Sequence, residues 1–543
     1  MNRGLRARVE DALARAVRAQ FGAEITTVAS ERPPRTDLGD LAFPAAFELA
    51  RVLKKAPRKI AEELREALAR VEGVSRVEVA GAGYLNVFFD RTRYLESFLS
   101  SAESEATPGK VIVEHTNINP NKAAHIGHLR NAALGDTFVR ALRFCGRNVE
   151  VQNYIDDTGV QVADVVAGFL HLEQKSMAEV EALAASERFD YYCWDLYARV
   201  SEFYQGDRDR LRIREKTLKA IEEGEDPEAA LGALIAKRIV HSHLVTMDRI
   251  DVRYDLLPWE SDILHLKFWQ RAYELLKERK AIRLATSGKN QGCWVMDLGE
   301  GSDEESDDAL DEKVIVRSNG TVTYVGKDIA YQMWKLGLLD RQFGFRPFHR
   351  YSDGSIVWST SAESEPGAPD FGKGDRVYNV IDVRQSYLQQ VVQKGVALLA
   401  SEDARERSHH FSYEMVALTP ATCRELGFPV SAEEAKKPYL EVSGRKGLGV
   451  KADDLLDALE EKALAEVSRR NPELHPEAQR EVASAIARGA LRYFMIKFTK
   501  NKVIAFDFAE ALSFEGDSGP YLQYAAVRAA KILVKTDRPP QGP

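Results

Sequence analysis

The sequence predicts an α/β protein: a largely parallel nucleotide-binding sheet, a small α/β module before it, helical insertions within it and an all-α region after it. Three observations carry this prediction. Residues 111–157 read as strand, loop, helix and strand in succession, the repeat unit of a parallel sheet. Apolar strand patterns return at 314–316 and 377–383 after long helical stretches, so helices and strands alternate across the middle of the chain. The two ends have patterns of their own, which sets the expected domains at 1–105, 106–450 and 451–543.

In the first module helical periodicity occupies 5–21, 43–54 and 57–71, and Pro57 suits a first helical turn. VSRVEVA and YLNVFF alternate as paired strands across the turn Gly81-Ala82-Gly83, which places Tyr84 and Asn86 on one face. Residues 101–110, small and polar with Pro108 and Gly109, read as a linker. A charged helical insertion spans about 165–285. Its aromatic residues Tyr191, Tyr192, Trp194, Tyr197 and Tyr204 recur at helical spacing, which favours packing over base stacking. Residues 314–334 read as a hairpin about Asn319-Gly320, running into a helix on which Tyr324 and Asp328 share a face. The Ser-, Gly- and Pro-rich stretch at about 345–376 reads as a surface insertion. The strand VYNVIDV then delivers Arg384 and Gln385 at its end, and helical patterns fill the chain from 452 onward.

The chemistry concentrates where the first parallel strand gives way to its helix. Ligands of open parallel sheets bind beyond the carboxyl ends of the strands, so His125 and His128 fall at the mouth of a site. A helix N-terminus there presents unpaired N–H groups and partial positive charge, which suits a phosphate, and two imidazoles one turn apart add donors. Gly127 lets a flat group lie against the backbone. His-Ile-Gly-His is a weak signal alone and a strong one at this junction. EVSGRKGLGVK, residues 441–451, sets Arg445 and Lys446 between glycines in a loop able to close over phosphates.

Composition narrows the class. At 44% hydrophobic and 29% charged, the 543-residue chain reads as a globular protein with room for several cores, and no stretch approaches a membrane span. A cytoplasmic location is expected. The net charge of -8 is carried by residues 300–312, which hold eight acids and no base, so the remainder is balanced and permits a basic face toward nucleic acid. Cys145, Cys193, Cys293 and Cys423 are scattered, form no zinc pattern and read as buried apolar filler. No Gly-x-Gly-x-x-Gly follows the first strand, which disfavours a dinucleotide-dependent dehydrogenase.

The blocks VEHTNINPNKAAHIGHLRNAALGD, NYIDDTGVQVAD, VRSNGTVTYVGKDIA, VIDVRQS, VSGRKGLGV and ALSFEGDSGPYLQYA, in this order, resemble class I aminoacyl-tRNA synthetases, and within them the arginyl enzymes of bacterial type. The resemblance implies a Rossmann-like catalytic core, an additional N-terminal domain that contacts the tRNA elbow, and an ATP-dependent reaction. Arginine and ATP form arginyl-adenylate with release of pyrophosphate, and arginine then passes to the terminal adenosine of its tRNA, with Mg2+ accompanying ATP and no structural metal. Carried over position by position, it implies catalytic roles for Lys122, His125, His128, Arg445 and Lys446. ATP contacts fall to His125, Gly127, His128, Val442, Ser443 and Lys446, and arginine contacts to Glu114, Asn117, Asn119, Tyr324, Asp328 and Gln385. Contacts to tRNA fall to Tyr84, Asn86, Tyr521 and Gln523.

Two departures accompany it. The family's Lys-Met-Ser-Lys-Ser signature is replaced here by VSGRK, with Glu441 and Gly444 where its lysines stand, and the resemblance implies that Lys122, just before the first signature, substitutes. SFEGDSGPYLQYA would begin a helical anticodon-binding domain that is expected to be mostly missing after residue 535. The expected protein is therefore a monomeric arginine-tRNA ligase. The alternative is a truncated or specialised relative that binds tRNA, arginine or a partner without efficient aminoacylation.

Overall fold

The computed structural model describes residues 3–23, 30–33, 35–100, 107–186, 188–297, 312–399, 402–441 and 449–536. Two compact units are present, 1–105 with 533–543, and 106–532.

In the first unit, helices Arg3–Phe21, Ala45–Leu53 and Pro57–Ala69 pack on an antiparallel sheet of order β1-β3-β2, with β1 Leu41–Phe43, β2 Val74–Ala80 and β3 Tyr84–Phe89. Period-two alternation sends Leu85, Val87 and Phe89 onto the helices, where Ile60, Leu64 and Leu68 are fully buried. The β2–β3 turn needs glycine. Gly83 sits at φ +149°, and a side chain there would come within 2.9 Å of Pro57.

The second unit is built on a seven-stranded sheet. Its first three strands in sequence are β4 (Thr107–Glu114), β5 (Arg147–Gln152) and β6 (Leu256–Leu257). A separate antiparallel sheet of β7 (Arg283–Leu284), β8 (Trp294–Asp297) and β9 (Glu312–Val316) follows. The main sheet resumes with β10 (Gly344–Arg350), β11 (Ile356–Ser361), β12 (Arg376–Asp382) and β13 (Ser408–Tyr413), in the order β10-β11-β6-β5-β4-β12-β13. All neighbouring pairs are parallel except β10 with β11. From β4 the chain runs through helix Ile126–Phe144 to β5 on one side, while β12 pairs with β4 on the other, so a crevice opens beyond Glu114 and Asn379 where the order reverses. A short parallel pair, β14 (Val416–Leu418) with β15 (Ile504–Phe506), lies further along.

Helix Ile126–Phe144 ends as its sequence requires, with Gly146 at φ +72° just past its last turn. Its inner face, Leu129, Ala132, Ala133 and Val139, is buried in a core shared with Leu455, Leu459, Leu491 and Phe494 of helices Ala452–Arg470 and Pro476–Ile496. Arg130 is fully buried there. It donates to the carbonyls of Glu414 (2.8 Å) and Met495 (2.6 Å), tying the signature helix to the C-terminal helices.

The structure differs from the sequence reading at several places. Residues 345–376, expected as a surface insertion, supply β10 and β11, and Val357 and Ser359 are fully buried. Leu256–Leu257, inside the expected helical insertion, is a strand of the main sheet. Thr107–Lys110, expected in the linker, already belongs to β4. The hairpin about Asn319-Gly320 is reduced to one bridge, Val316 to Val322, because β9 pairs with β8 instead. Cys145 is exposed and Cys293 half-buried, so only Cys193 and Cys423 fit the expectation of buried filler. No helix among the described residues is long and apolar enough to cross a membrane.

Candidate active site

The loop from β4 into helix Ile126–Phe144 is held in a costly conformation. Thr116 at φ +78° and Asn117 at φ +43° are non-glycine residues in the left-handed region, and a β-branched residue rarely enters it. Side chains around the loop impose that shape. The Thr116 N–H donates to Asn131 Oδ1 (2.6 Å) and its hydroxyl accepts from Tyr254 (2.8 Å). The Asn117 N–H donates to Asn153 Oδ1 (2.9 Å), its amide donates to Glu114 (2.7 Å), and its carbonyl oxygen accepts from the Tyr154 N–H (2.9 Å). The consequence is a preorganised wall at the switch point of the sheet.

That wall borders a cavity of about 760 Å³. Glu114, Asn117, Asn119, Lys122, His125, Gly127, His128, Asp328 and Gln385, all singled out from sequence, line it together. Tyr324 does not. It opens helix Tyr324–Lys335, is 51% exposed and is not on the cavity wall, where Tyr154 and Tyr331 stand instead.

At one end the imidazoles of His125 and His128 stack at 3.6 Å. His125 caps the helix. Its Nδ1 accepts from the Gly127 N–H (3.1 Å), and His128 Nδ1 accepts from the His125 N–H (3.1 Å). With both Nδ1 atoms accepting, the ring protons lie on Nε2. Burial, and next the Lys122 ammonium, push His125 down to about 4, and burial with the neighbouring ring pushes His128 well below its ordinary value. The pair is therefore neutral at physiological pH and acts by donating N–H, not by carrying charge. Residues 450–452 lie against this end, since Val450 accepts from the Ile126 N–H (3.3 Å), Lys451 bridges to His125 and the Ala452 N–H donates to Ala124 (2.8 Å).

At the other end carboxylates are in excess. Glu114 is answered by Lys335, only 2% exposed, whose ammonium lies 2.5 Å from its Oε2 and 2.9 Å from Asn379 Oδ1. The Asp328 side chain, among the described residues, has no hydrogen bond or ion pair; burial and the charges of Glu260 and Glu114 push it up to about 7 against the more distant pull of Lys335 and Lys327. Asp156 is pushed well above its usual range by burial and by Glu260, and its Oδ1 is buried without a partner. A buried pocket with more carboxylate than cation is built for a cationic ligand, and a guanidinium supplies the planar fork that two carboxylates accept.

Glu260 was missed by the sequence reading. It is 5% exposed, accepts from Lys327 (2.7 Å) and the Tyr154 hydroxyl (2.8 Å), and pairs closely with Thr158. A lone acid opening a six-residue helix, Glu260–His265, carried no pattern to find it by. Of the expected tRNA contacts, Tyr84 is 38% exposed and Asn86 only 7%. Tyr521 is 48% exposed, while the Gln523 amide is engaged with the Ala485 carbonyl (3.0 Å). Val442, Ser443, Arg445 and Lys446 lie outside the described residues, as does most of the acidic run at 300–312. No cluster of metal-binding side chains occurs among the described residues.

Comparison with known proteins adds the following. The family described as "Arginyl tRNA synthetase N terminal domain" matches residues 3–89, and "tRNA synthetases class I (R), catalytic domain" matches 96–339. An arginine-tRNA ligase of Thermococcus kodakarensis is 38% identical over 523 residues, covering 93% of this chain and 77% of the relative. One from Thermus thermophilus is 38% identical over 534 residues, covering 98% and 82%. The solved Thermus thermophilus arginyl-tRNA synthetase superposes with a TM-score of 0.76 at 35% identity, over 99% of this chain and 82% of that one.

Proposed function

The chain belongs to the arginyl-tRNA synthetase family, and we propose that its reaction is divided along the cavity, arginine held at the carboxylate end and the ATP phosphates at the imidazole end. It is an arginine-tRNA ligase, activating L-arginine with ATP and transferring it to tRNA. The observation that carries the division is the single cavity joining Asp328, which has no ion pair of its own, to two neutral stacked imidazoles at the sheet's switch point.

In this reading Asp328 faces the guanidinium, beside Glu114 and Asp156, while Asn117, Asn119 and Gln385 orient the rest of the amino acid. Tyr324 joins them only if its side chain reaches the bound amino acid from outside the wall. His125 and His128 donate from Nε2 to the α-phosphoryl oxygens as charge builds during attack by the arginine carboxylate, and Gly127 admits the adenosine moiety. Lys122, on the same wall, supplies the cation that is missing where Gly444 stands in place of the family's second signature lysine. Val442, Ser443, Arg445 and Lys446 close on the departing pyrophosphate. The placement of residues 450–452, which follow them in sequence, beside His125 at the phosphate end supports that role. Mg2+ enters with ATP as part of the substrate.

Residues 1–105, through Tyr84 and Asn86, are assigned to the tRNA elbow, and the helices from 451 onward, with Tyr521 and Gln523, to anticodon binding. The protein is proposed to act as a cytoplasmic monomer, and light scattering tests the monomer.

Arginine-dependent ATP/pyrophosphate exchange, with and without tRNA, tests the reading. Lys122→Ala is expected to lower exchange about a hundredfold with an unchanged melting temperature. Full exchange in that variant would return the role to Lys446.

A further inference from the structure

The aromatic stripe of the helical insertion is not used up by packing. On helix Phe189–Phe203, Tyr197 is 8% exposed, belongs to the insertion's core and also lines the active-site cavity, while Trp194 and Tyr191 are only half-buried and stand off its wall. The Lys122 ammonium lies 4.5 Å from the ring centre of Trp194 and 4.5 Å from that of Tyr197. Lys451, which bridges to His125, has its ammonium 4.6 Å from Tyr191 and 5.5 Å from the same Trp194 ring. The helix is also tied to the loop by backbone, since the Ala123 N–H donates to the Asp190 carbonyl at 3.1 Å.

An ammonium over an aromatic face is attracted by the ring quadrupole, and the attraction strengthens when the pair is withdrawn from water. A lysine on a four-carbon stem otherwise samples many rotamers. Two faces converging on one ammonium reduce that freedom. The same indole then touches the cation before the first signature and the cation after the second.

We propose that Trp194, with Tyr197, is a positioning residue for arginine activation: it holds the charged Lys122 at the phosphate end of the cavity and couples that lysine to Lys451, which follows the second signature in sequence. The inference deepens the assignment of Lys122 and rests on it. Trp194 acts through the lysine and touches neither substrate.

The test is arginine-dependent pyrophosphate exchange with tRNA on the full chain, for Trp194→Leu, Trp194→Phe, Lys122→Gln and the double variant Lys122→Gln/Trp194→Leu, each checked by thermal melting. Trp194→Leu is expected to lower kcat about tenfold with the KM for arginine unchanged, and Trp194→Phe to recover most of it, because phenylalanine keeps a π face. On the Lys122→Gln background the leucine substitution should cost less than about twofold, since the cation it positions is gone. The inference is overturned if Trp194→Leu is as active as the parent, if leucine and phenylalanine are equally harmful, or if the loss is undiminished in the double variant. Full exchange by Lys122→Gln alone would instead remove the assignment of Lys122, and this inference with it.

Discussion

At the carboxylate end of the cavity Asp328 keeps its proton up to about pH 7, whereas at the imidazole end His125 gives its proton up at about 4. Burial is the first cause of both displacements, and it produces opposite tools. An acid taken out of water beside Glu260 and Glu114 accumulates repulsion that an incoming cation relieves. A base taken out of water stays neutral and keeps an N–H to donate. On the proposed division, one desolvated crevice offers a sink for a guanidinium and neutral donors for a phosphate, with the strained Thr116–Asn117 segment on its wall.

The difference should be sharpest in substitutions that remove one end and spare the other. Asp328→Asn deletes the carboxylate without changing its shape. It is expected to lower kcat/KM for arginine about a thousandfold and to erase preference over uncharged analogues, with the KM for ATP nearly unchanged. Unaltered arginine-dependent exchange in that variant would break the comparison at its acidic end. His128→Asn removes an Nε2 donor while leaving the arginine pocket intact. Its kcat for exchange should fall about a hundredfold with the arginine KM within about threefold. A loss expressed in the arginine KM instead would mean that the two ends are not separate.

How far all this could be read from the sequence depends on how much of each feature is local. The unit 111–157 was legible because strand, loop, cap and Gly146 follow one another and each obeys its own short-range rule. Pro57 and the Gly81–Gly83 turn were legible for the same reason. The two-residue strand Leu256–Leu257 has no periodicity to show, and its place is set by neighbours 104 residues earlier and 102 later, as in Gln152 to Leu256 and Trp358 to Leu256. The β10–β11 pair was hidden by the Ser-rich segment in which it sits, although its residues 357–360 are buried. Within the site, single residues of a signature were found and their company was not. Asp328 could be named, but Glu260, the strongest charge acting on it, and Asp156, on which it acts in turn, arrive from separate elements and are brought together only by the fold.

The smallest and most specific expectation concerns pH. On the proposed reading arginine meets Asp328 ionised, yet in the free protein that carboxyl titrates at about 7. Below that value a proton occupies the site and has to be expelled, so the arginine KM should rise as pH falls from 8 to 6, approaching about tenfold per unit at the acidic limit. The imidazole end predicts the contrary for ATP: with His125 titrating at about 4, the ATP KM contributed by these donors stays flat over the same interval. The proton count gives a second reading of the same event. Arginine binding at pH 7 should release about half a proton, visible as a dependence of the calorimetric heat on the ionisation enthalpy of the buffer. In Asp328→Asn both the slope and the released proton should vanish. If the slope persists there, the titrating group is a different carboxyl, and Asp156, with its buried unpaired oxygen, is the one to exchange next.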